Sequence, residues 1–236
     1  MSLDALVIAA HPDDAEISVG GTILRWVRAG KRVGVLDLTR GEMGTRGTAE
    51  GRAREASAAS EVLGLALREN LELPDGRVEA SLEAREALAA RIRAHAPHVV
   101  LAHHDEDLHP DHVAAGRLAR QAWYLAGLAR LATPDSPAYR PPRLLHFPGH
   151  LAVQPTFVVD VGPVWEAKCE AVRAYASQLE PEGEQDNGSH FLFGADILAR
   201  METKARYWGE QAGVRYGEAL QHPGPVPMDD PMLNWL

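Results

Sequence analysis

The sequence predicts an α/β fold: a Rossmann-like, mostly parallel sheet with helices on both faces, formed as a single domain over residues 1–236. Short apolar runs such as Ala5–Ala10 alternate with longer Ala- and Glu-rich stretches over the first 150 residues, which is the pattern of strands alternating with helices. Turn signals such as Pro74-Asp75-Gly76 separate them. Strands and helices that alternate at this spacing imply right-handed crossovers, and therefore a parallel sheet covered on both sides.

Each element is predicted from its local sequence. The predicted strands are Ala5–Ala10, Arg32–Thr39, a short one near Asn70–Leu73, His98–Ala102, Arg143–Phe147 and Thr156–Val161. The predicted helices are Ile17–Ala29, Glu50–Leu65, Leu82–Ala94, about His112 to Ala129, Trp165–Ser177 and Asp196–Ala212. Gly30 ends the first helix, and Thr48 is a favourable cap for the second. The part from about 163 to 236 is predicted to be helical with a Pro-rich end over 223–236, which is either a tail or an ordered arm.

The composition is that of an ordinary soluble globular protein, with 45% hydrophobic and 24% charged residues in 236. The longest apolar runs are far short of the roughly 20 residues that a membrane span requires, so no membrane-spanning segment is expected. The start, Met1 to Asp4, lacks the basic patch of a secretory signal, and a cytoplasmic location is therefore expected. Cys169 has no second cysteine to pair with, and we interpret it as structural.

A net charge of −9 argues against general binding to nucleic acid, whose phosphates require a basic footprint. A neutral or small cationic substrate is more compatible with this net negative charge. Four arginines nevertheless cluster between positions 40 and 54. They are interpreted as a solvated helix face and loop, with a local contact to an anion or sugar as the alternative.

Side chains of the metal-ligand type follow two of the predicted strands. His11 to Glu16 follows the first strand, and His103 to His112 follows the strand at 98–102. In open α/β sheets, ligands bind beyond the carboxyl ends of the strands, so these two segments are the first candidates for a site. Each also has a structural interpretation. Asp13 and Asp14 are common helix caps, and the second segment reads equally as a solvated acidic loop.

Taken together, the two segments favour a metal site. Crossover topology can bring both strand ends to the same edge of the sheet, where His11, Asp14 and His112 could converge. Two imidazoles and one carboxylate are a usual catalytic zinc shell with one position left open, whereas a structural zinc would more often use four ligands and thiolates. The neighbouring Asp13 could then reach a water molecule rather than the metal.

The string from Ala10 to Glu16, together with His109-Pro110-Asp111-His112, resembles the LmbE-like, or PIG-L, family of zinc-dependent N-deacetylases. The two motifs are specific, and the order of strands and helices continues the resemblance over about the first 160 residues. Further matches point to the branch of the family in bacillithiol biosynthesis: Thr39–Glu42 with Gly44, Arg52, Asp107–His112 and Tyr175–Gln178. The resemblance thus extends over nearly the whole chain.

The resemblance implies roles for five residues at the centre of the site. His11, Asp14 and His112 are implied to be the ligands of one Zn²⁺ ion per chain. Asp13 is implied to be the general base. His109 is implied to stabilise the oxyanion of a tetrahedral intermediate without binding the metal.

It also implies roles for residues around that centre. Asp111 is expected to orient one of the histidines, and Arg52 is expected to contact the substrate. Some family members have a tyrosine two residues before the position of His109, where this chain has Asp107. The resemblance therefore leaves the role of Asp107 open.

The activity implied by the resemblance is removal of an acetyl group from an N-acetylglucosamine derivative, with N-acetylglucosaminyl malate as the best-supported substrate. Family members of this type often form trimers or hexamers, so a homo-oligomer is expected. Alternatives are a deacetylase acting on chitobiose or N-acetylglucosamine, an amidase acting on thiol conjugates, and a non-catalytic module that binds a metal or sugar. A nucleotide site is disfavoured because the first strand is not followed by Gly-x-Gly-x-x-Gly.

Overall fold

A computed structural model describes residues 2–131, 133, 136–179 and 196–225. Its strands are β1 Ala5–Ala9, β2 Val33–Asp37, β3 Leu67–Asn70, β4 Val99–His103, β5 Arg143–Phe147, β6 Phe157–Asp160 and β7 Gly217–Leu220. Its helices are α1 Asp14–Arg28, α2 Ala49–Leu63, α3 Leu82–His95, α4 Pro110–Ala126, α5 Trp165–Arg173, α6 Ala176–Leu179 and α7 Ile197–Ala212, with one 3₁₀ turn at Gly162–Val164. No helix in these ranges is long and apolar enough to cross a membrane.

Five strands form a parallel sheet in the order β3-β2-β1-β4-β5, which confirms the predicted α/β class. The central strand β1 is buried on both faces. Val7 points to a core that includes residues of α1, α2 and α5, and the neighbouring Ile8 points to a second core that includes residues of α3 and α4. Helices therefore cover both faces. The order reverses at β1, whose neighbours β2 and β4 connect to opposite sides, and this leaves a crevice at the carboxyl ends of β1 and β4.

Several element bounds differ from the prediction. The third strand is Leu67–Asn70 rather than a segment near Asn70–Leu73, because Glu72 adopts a left-handed conformation with φ 54° that ends the regular ladder. The predicted helix Trp165–Ser177 is divided into α5 and α6. Helix α4 begins at Pro110 rather than at His112, because proline suits the first turn of a helix, where its missing N–H is not needed.

The C-terminal part adds a second, small sheet in which β6 pairs with β7 antiparallel. Strand β7 was not predicted, since the four residues of Gly217–Leu220 show no alternation of apolar and polar side chains. Helix α7 matches the predicted Asp196–Ala212, with the side chain of Asp196 as its cap. Residues 226–236 of the Pro-rich end lie outside the described residues.

Candidate metal centre

The segments that follow β1, β4 and β5 meet at one edge of the sheet and line a single cavity of about 510 Å³. His11 to Asp14 follow β1, the segment to His112 follows β4, and His150 follows β5. The two segments singled out in the sequence are thus neighbours in space. The cavity volume is within the range usual for sites that bind small molecules.

Asp14 lies between the two histidines with which it was predicted to bind a metal. Its Oδ1 is 3.2 Å from His112 Nε2, and its Oδ2 is 3.3 Å from His11 Nδ1. One ligand atom of each of the three residues lies within 4.8 Å of the other two. The first turn of α1 and the start of α4 hold these side chains, and the three residues could hold one metal ion.

The second nitrogen of each histidine faces a carboxylate. His112 Nδ1 is 3.3 Å from Asp107, whose side chain is 1% exposed, and His11 Nε2 is 3.2 Å from Asp111 and 3.1 Å from Asp75. Histidines that bind metals usually donate their other ring N–H to a carboxylate, which fixes the tautomer. The arrangement therefore fits a divalent cation bound by the ring nitrogens that face Asp14, which are His11 Nδ1 and His112 Nε2.

Charge at the centre fits a cation as well. Burial opposes ionisation of Asp14, but the neighbouring imidazoles His112 and His103 outweigh it and hold the pKa of Asp14 well below its usual value. Burial likewise opposes protonation of His112, yet Asp14 and Asp107 raise its pKa to about 9. The carboxylates therefore draw positive charge onto the imidazoles, and a bound divalent cation would supply that charge instead.

Two other groups of side chains have ligand atoms at similar spacing: His11 with His109 and Asp111, and Asp107 with His112 and His150. Each shares a histidine with the first group. In each, the carboxylate accepts two or more backbone N–H groups, with distances of 2.7 and 3.2 Å to Asp111 and of 2.9 and 2.7 Å to Asp107. Such anchoring is typical of an orienting carboxylate, so we favour the group centred on Asp14.

Asp13 does not act as a side-chain cap of α1, although it stands at the cap position. Its backbone adopts φ 111°, a region that residues other than glycine rarely occupy and that is often associated with functional sites. Its Oδ2 accepts a hydrogen bond from Arg52 Nη2 at 3.0 Å, and the same Nη2 donates to the Pro12 carbonyl. The predicted substrate contact Arg52 is therefore a buried partner of Asp13 that also lines the cavity.

His109 caps α4. Its Nδ1 accepts the N–H of Asp111 at 3.2 Å, which leaves the proton of the neutral ring on Nε2. Burial, and then the charges of His11 and His112, lower the pKa of His109. The ring is therefore a neutral donor at the wall of the cavity.

Three residues of the site were not assigned to it from the sequence. Asp75 was assigned to a turn only, Asp107 was left open, and His150 was not considered. Asp107 accepts hydrogen bonds from His150 Nδ1 at 2.6 Å and from the His150 N–H at 2.7 Å. The rule that sites follow the carboxyl ends of strands points to His150 as well, once it is applied to the strand Arg143–Phe147.

The fold and site together define a class: enzymes with a parallel α/β sheet and a histidine and carboxylate centre at its carboxyl edge. The family model described as "PIG-L: GlcNAc-PI de-N-acetylase" matches residues 6–123. A diacetylchitobiose deacetylase from Thermococcus kodakarensis is 32% identical over 227 residues, which cover 92% of this chain and 81% of that protein. The chain belongs to the PIG-L family, and it is an enzyme of the deacetylase type.

Two further relatives show the range of the fold. The conserved protein TT1542 from Thermus thermophilus superimposes with a TM-score of 0.84 at 40% identity, covering 96% of this chain and 97% of that one. A 4-oxalmesaconate hydratase from Pseudomonas putida is 28% identical over 194 residues, which cover 74% of this chain and 73% of the hydratase. Proteins similar to this chain thus include one with a different reaction.

Proposed function

We propose that this enzyme binds one Zn²⁺ ion through His11, Asp14 and His112 and removes the acetyl group from an N-acetylglucosamine derivative. The observation that carries the proposal is the position of Asp13 beside that ligand set, at the wall of the same cavity. The name of the T. kodakarensis relative and that of the family model both specify acetylated glucosamine compounds, which supports this substrate class.

The metal and Asp13 have separate roles in the proposed amide hydrolysis. A zinc ion, when bound, polarises the amide carbonyl and lowers the pKa of water from 15.7 to about 7. Asp13 accepts the proton of the attacking water and later delivers a proton to the departing amine. Burial raises the pKa of the Asp13 carboxyl to about 7, although the charge of Arg52 opposes the rise, and a base with such a pKa suits neutral solution.

The remaining residues stabilise the oxyanion and hold the other side chains of the site in position. His109 donates a hydrogen bond from its Nε2–H to the carbonyl oxygen as that oxygen gains negative charge. Arg52 fixes the carboxylate of Asp13 and, at the wall of the cavity, contacts the sugar or its substituent. Asp111 orients His11, and Asp107 orients His112.

We propose N-acetylglucosaminyl malate as the particular substrate, with diacetylchitobiose and N-acetylglucosamine as the alternatives. The sequence matches to the bacillithiol branch support the malate compound. The ammonium group of Lys204 at the cavity wall supports an anionic substituent as well. We further propose that the enzyme acts in the cytoplasm as a trimer or hexamer; size-exclusion chromatography with light scattering tests the assembly.

A deacetylation screen tests the function. Purified protein loaded with Zn²⁺ is incubated with each of the three acetylated compounds, and mass spectrometry measures the loss of one acetyl group. We expect loss of acetyl from the malate compound at the highest kcat/KM. Including 4-oxalmesaconate covers the reaction of the hydratase relative: hydration of that compound, without deacetylation of any other, would overturn the proposal.

A further inference from the structure

One face of α7 lines the cavity and contacts the segment that follows β5. Its cavity-lining residues are Ile197, Arg200, Met201, Lys204, Ala205 and Trp208. Arg200 and Lys204 are four residues apart, so they are neighbours on the helix surface. Two like charges at this spacing destabilise a helix.

The outer face of the same helix has the opposite arrangement. Glu202 and Arg206 are also four residues apart, and they form a salt bridge of 2.7 Å. The helix thus pairs opposite charges towards solvent, whereas Lys204 on its cavity face has a backbone carbonyl as its contact.

Within the described residues, no carboxylate of the cavity wall forms a salt bridge with Lys204. Its Nζ donates to the Gly149 carbonyl, and within the described part of the chain it forms no salt bridge. Glu218, the cavity carboxylate away from the metal centre, is occupied by Lys168 at 2.5 Å and by the Gly21 and Thr22 donors. Desolvation, and then the charge of Arg200, lower the pKa of Lys204, and the charge of Asp107 opposes this change.

We infer that Lys204 binds a carboxylate of the group attached to the sugar. The inference rests on the proposed function and deepens it, because it names the feature of the substrate that this wall selects. Gly149, whose carbonyl Lys204 contacts, is also next to the metal centre: a Cβ at Gly149 would lie 2.9 Å from His112 Nδ1. Lys204 and the proposed metal ligand His112 are therefore both neighbours of Gly149 at the cavity wall.

The test compares a charged and a neutral substituent. Lys204→Gln is assayed with N-acetylglucosaminyl malate and with methyl N-acetylglucosaminide, beside Lys204→Arg and the control Lys31→Gln, whose side chain is 55% exposed near Asp4. A lost charged hydrogen bond predicts a fall of about 10- to 100-fold in kcat/KM for the malate compound, chiefly through KM. The kcat/KM of Lys204→Gln for the methyl compound should stay near the wild-type value. The kcat/KM of Lys204→Arg and of Lys31→Gln for the malate compound should also change little.

A binding measurement separates this inference from the proposed function. Calorimetry measures the Kd of glucosaminyl malate and of methyl glucosaminide for the wild-type protein and Lys204→Gln, and it requires no turnover. If the wild-type protein binds glucosaminyl malate more tightly than methyl glucosaminide, and Lys204→Gln loses this difference, the result supports the subsite. This holds even if no compound is deacetylated. Equal affinity of the wild type for both compounds, or equal losses for both in the variant, would overturn it.

Discussion

The two walls of the cavity are built by different physical means. On the wall that follows β1, β4 and β5, histidines and carboxylates form a continuous network with contacts between 2.6 and 3.3 Å. On the α7 wall, Lys204 contacts a carbonyl group and is exposed. The first wall is fixed by many partners, whereas Lys204 on the second forms no salt bridge within the described residues.

This difference separates chemistry from recognition. Groups that must act on a metal or a proton need positions held by several contacts, and strand ends and helix starts provide them. Groups that select a substituent need only a suitable charge and a side chain long enough to contact that substituent. Changes on the first wall should therefore alter metal content and turnover, and changes on the second should alter KM for particular substrates.

The largest effect is expected from Asp14→Asn or His11→Ala. Either change removes a proposed ligand, so the protein should lose its Zn²⁺ and its turnover together. Elemental analysis of the purified variants measures the metal. Full occupancy in His11→Ala would contradict both groups that contain His11, and the group of Asp107, His112 and His150 would then be examined by the same substitutions.

Asp13→Asn is the matched control within the same dipeptide. It preserves size and hydrogen bonding but cannot accept a proton, so we expect full metal content and a turnover reduced by roughly 10²–10⁴-fold. Excess zinc should restore part of the activity of Asp14→Asn and none of that of Asp13→Asn. Equal loss of zinc in both variants would make Asp13 a ligand or a structural residue.

His109→Asn sharpens the distinction between a donor and a ligand. Asparagine is a favourable helix cap, so it replaces the capping contact to Asp111 and removes only the imidazole. Loss of one oxyanion donor predicts a fall in kcat of roughly 10²–10³-fold with unchanged metal content. Loss of metal in this variant would instead favour the group that includes His109.

The fold was predictable because its strands are short apolar runs and its helices begin at clear signals. The side chain of Thr48 accepts the N–H of Gly51 at 3.0 Å, as a cap does, and β1 is buried throughout. Strand β7 could not be predicted in this way. It is defined by pairing with β6 over a separation of about 60 residues, which no local pattern encodes.

Some residues of the candidate site could likewise be predicted from local sequence, and others could not. Asp14 and His112 come from motifs that follow strands, and the parallel topology brings them together. Asp75 comes from a turn and reaches the site only through tertiary packing, whereas His150 follows β5 and the same rule points to it. Their contacts to His11 and Asp107 depend on the relative heights of neighbouring strand ends, which the sequence does not specify.

A smaller effect is expected from Asp107→Asn, which weakens the orientation of His112 without removing a ligand. Substitutions of such orienting carboxylates typically reduce metal affinity or activity by about 10- to 100-fold. Competition with a zinc chelator measures the affinity. Asp105→Asn, a change of the same kind two residues away near Arg120, is the control and should have the wild-type affinity. Equal affinities in both variants would show that Asp107 is dispensable for metal binding.

The smallest effect on turnover is expected at Glu218, which joins the C-terminal part to α1. The φ of Val19, −138°, interrupts α1, and Glu218 accepts the N–H groups of Gly21 and Thr22 just beyond that kink. Glu218→Gln keeps the size of the side chain but leaves the ammonium of Lys168, which is 2% exposed, without its counter-charge. Breaking a buried ion pair from one side typically costs about 3–5 kcal/mol.

Urea denaturation of Glu218→Gln should therefore show a lower free energy of unfolding, while kcat on methyl N-acetylglucosaminide stays near the wild-type value. The double variant with Lys168→Met removes both charges, so it should recover much of the lost stability. A loss of kcat at unchanged stability would contradict the separation of the two walls, because it would mean that the C-terminal part acts on the chemistry directly. A double variant less stable than Glu218→Gln would show that Lys168 contributes through contacts other than the pair.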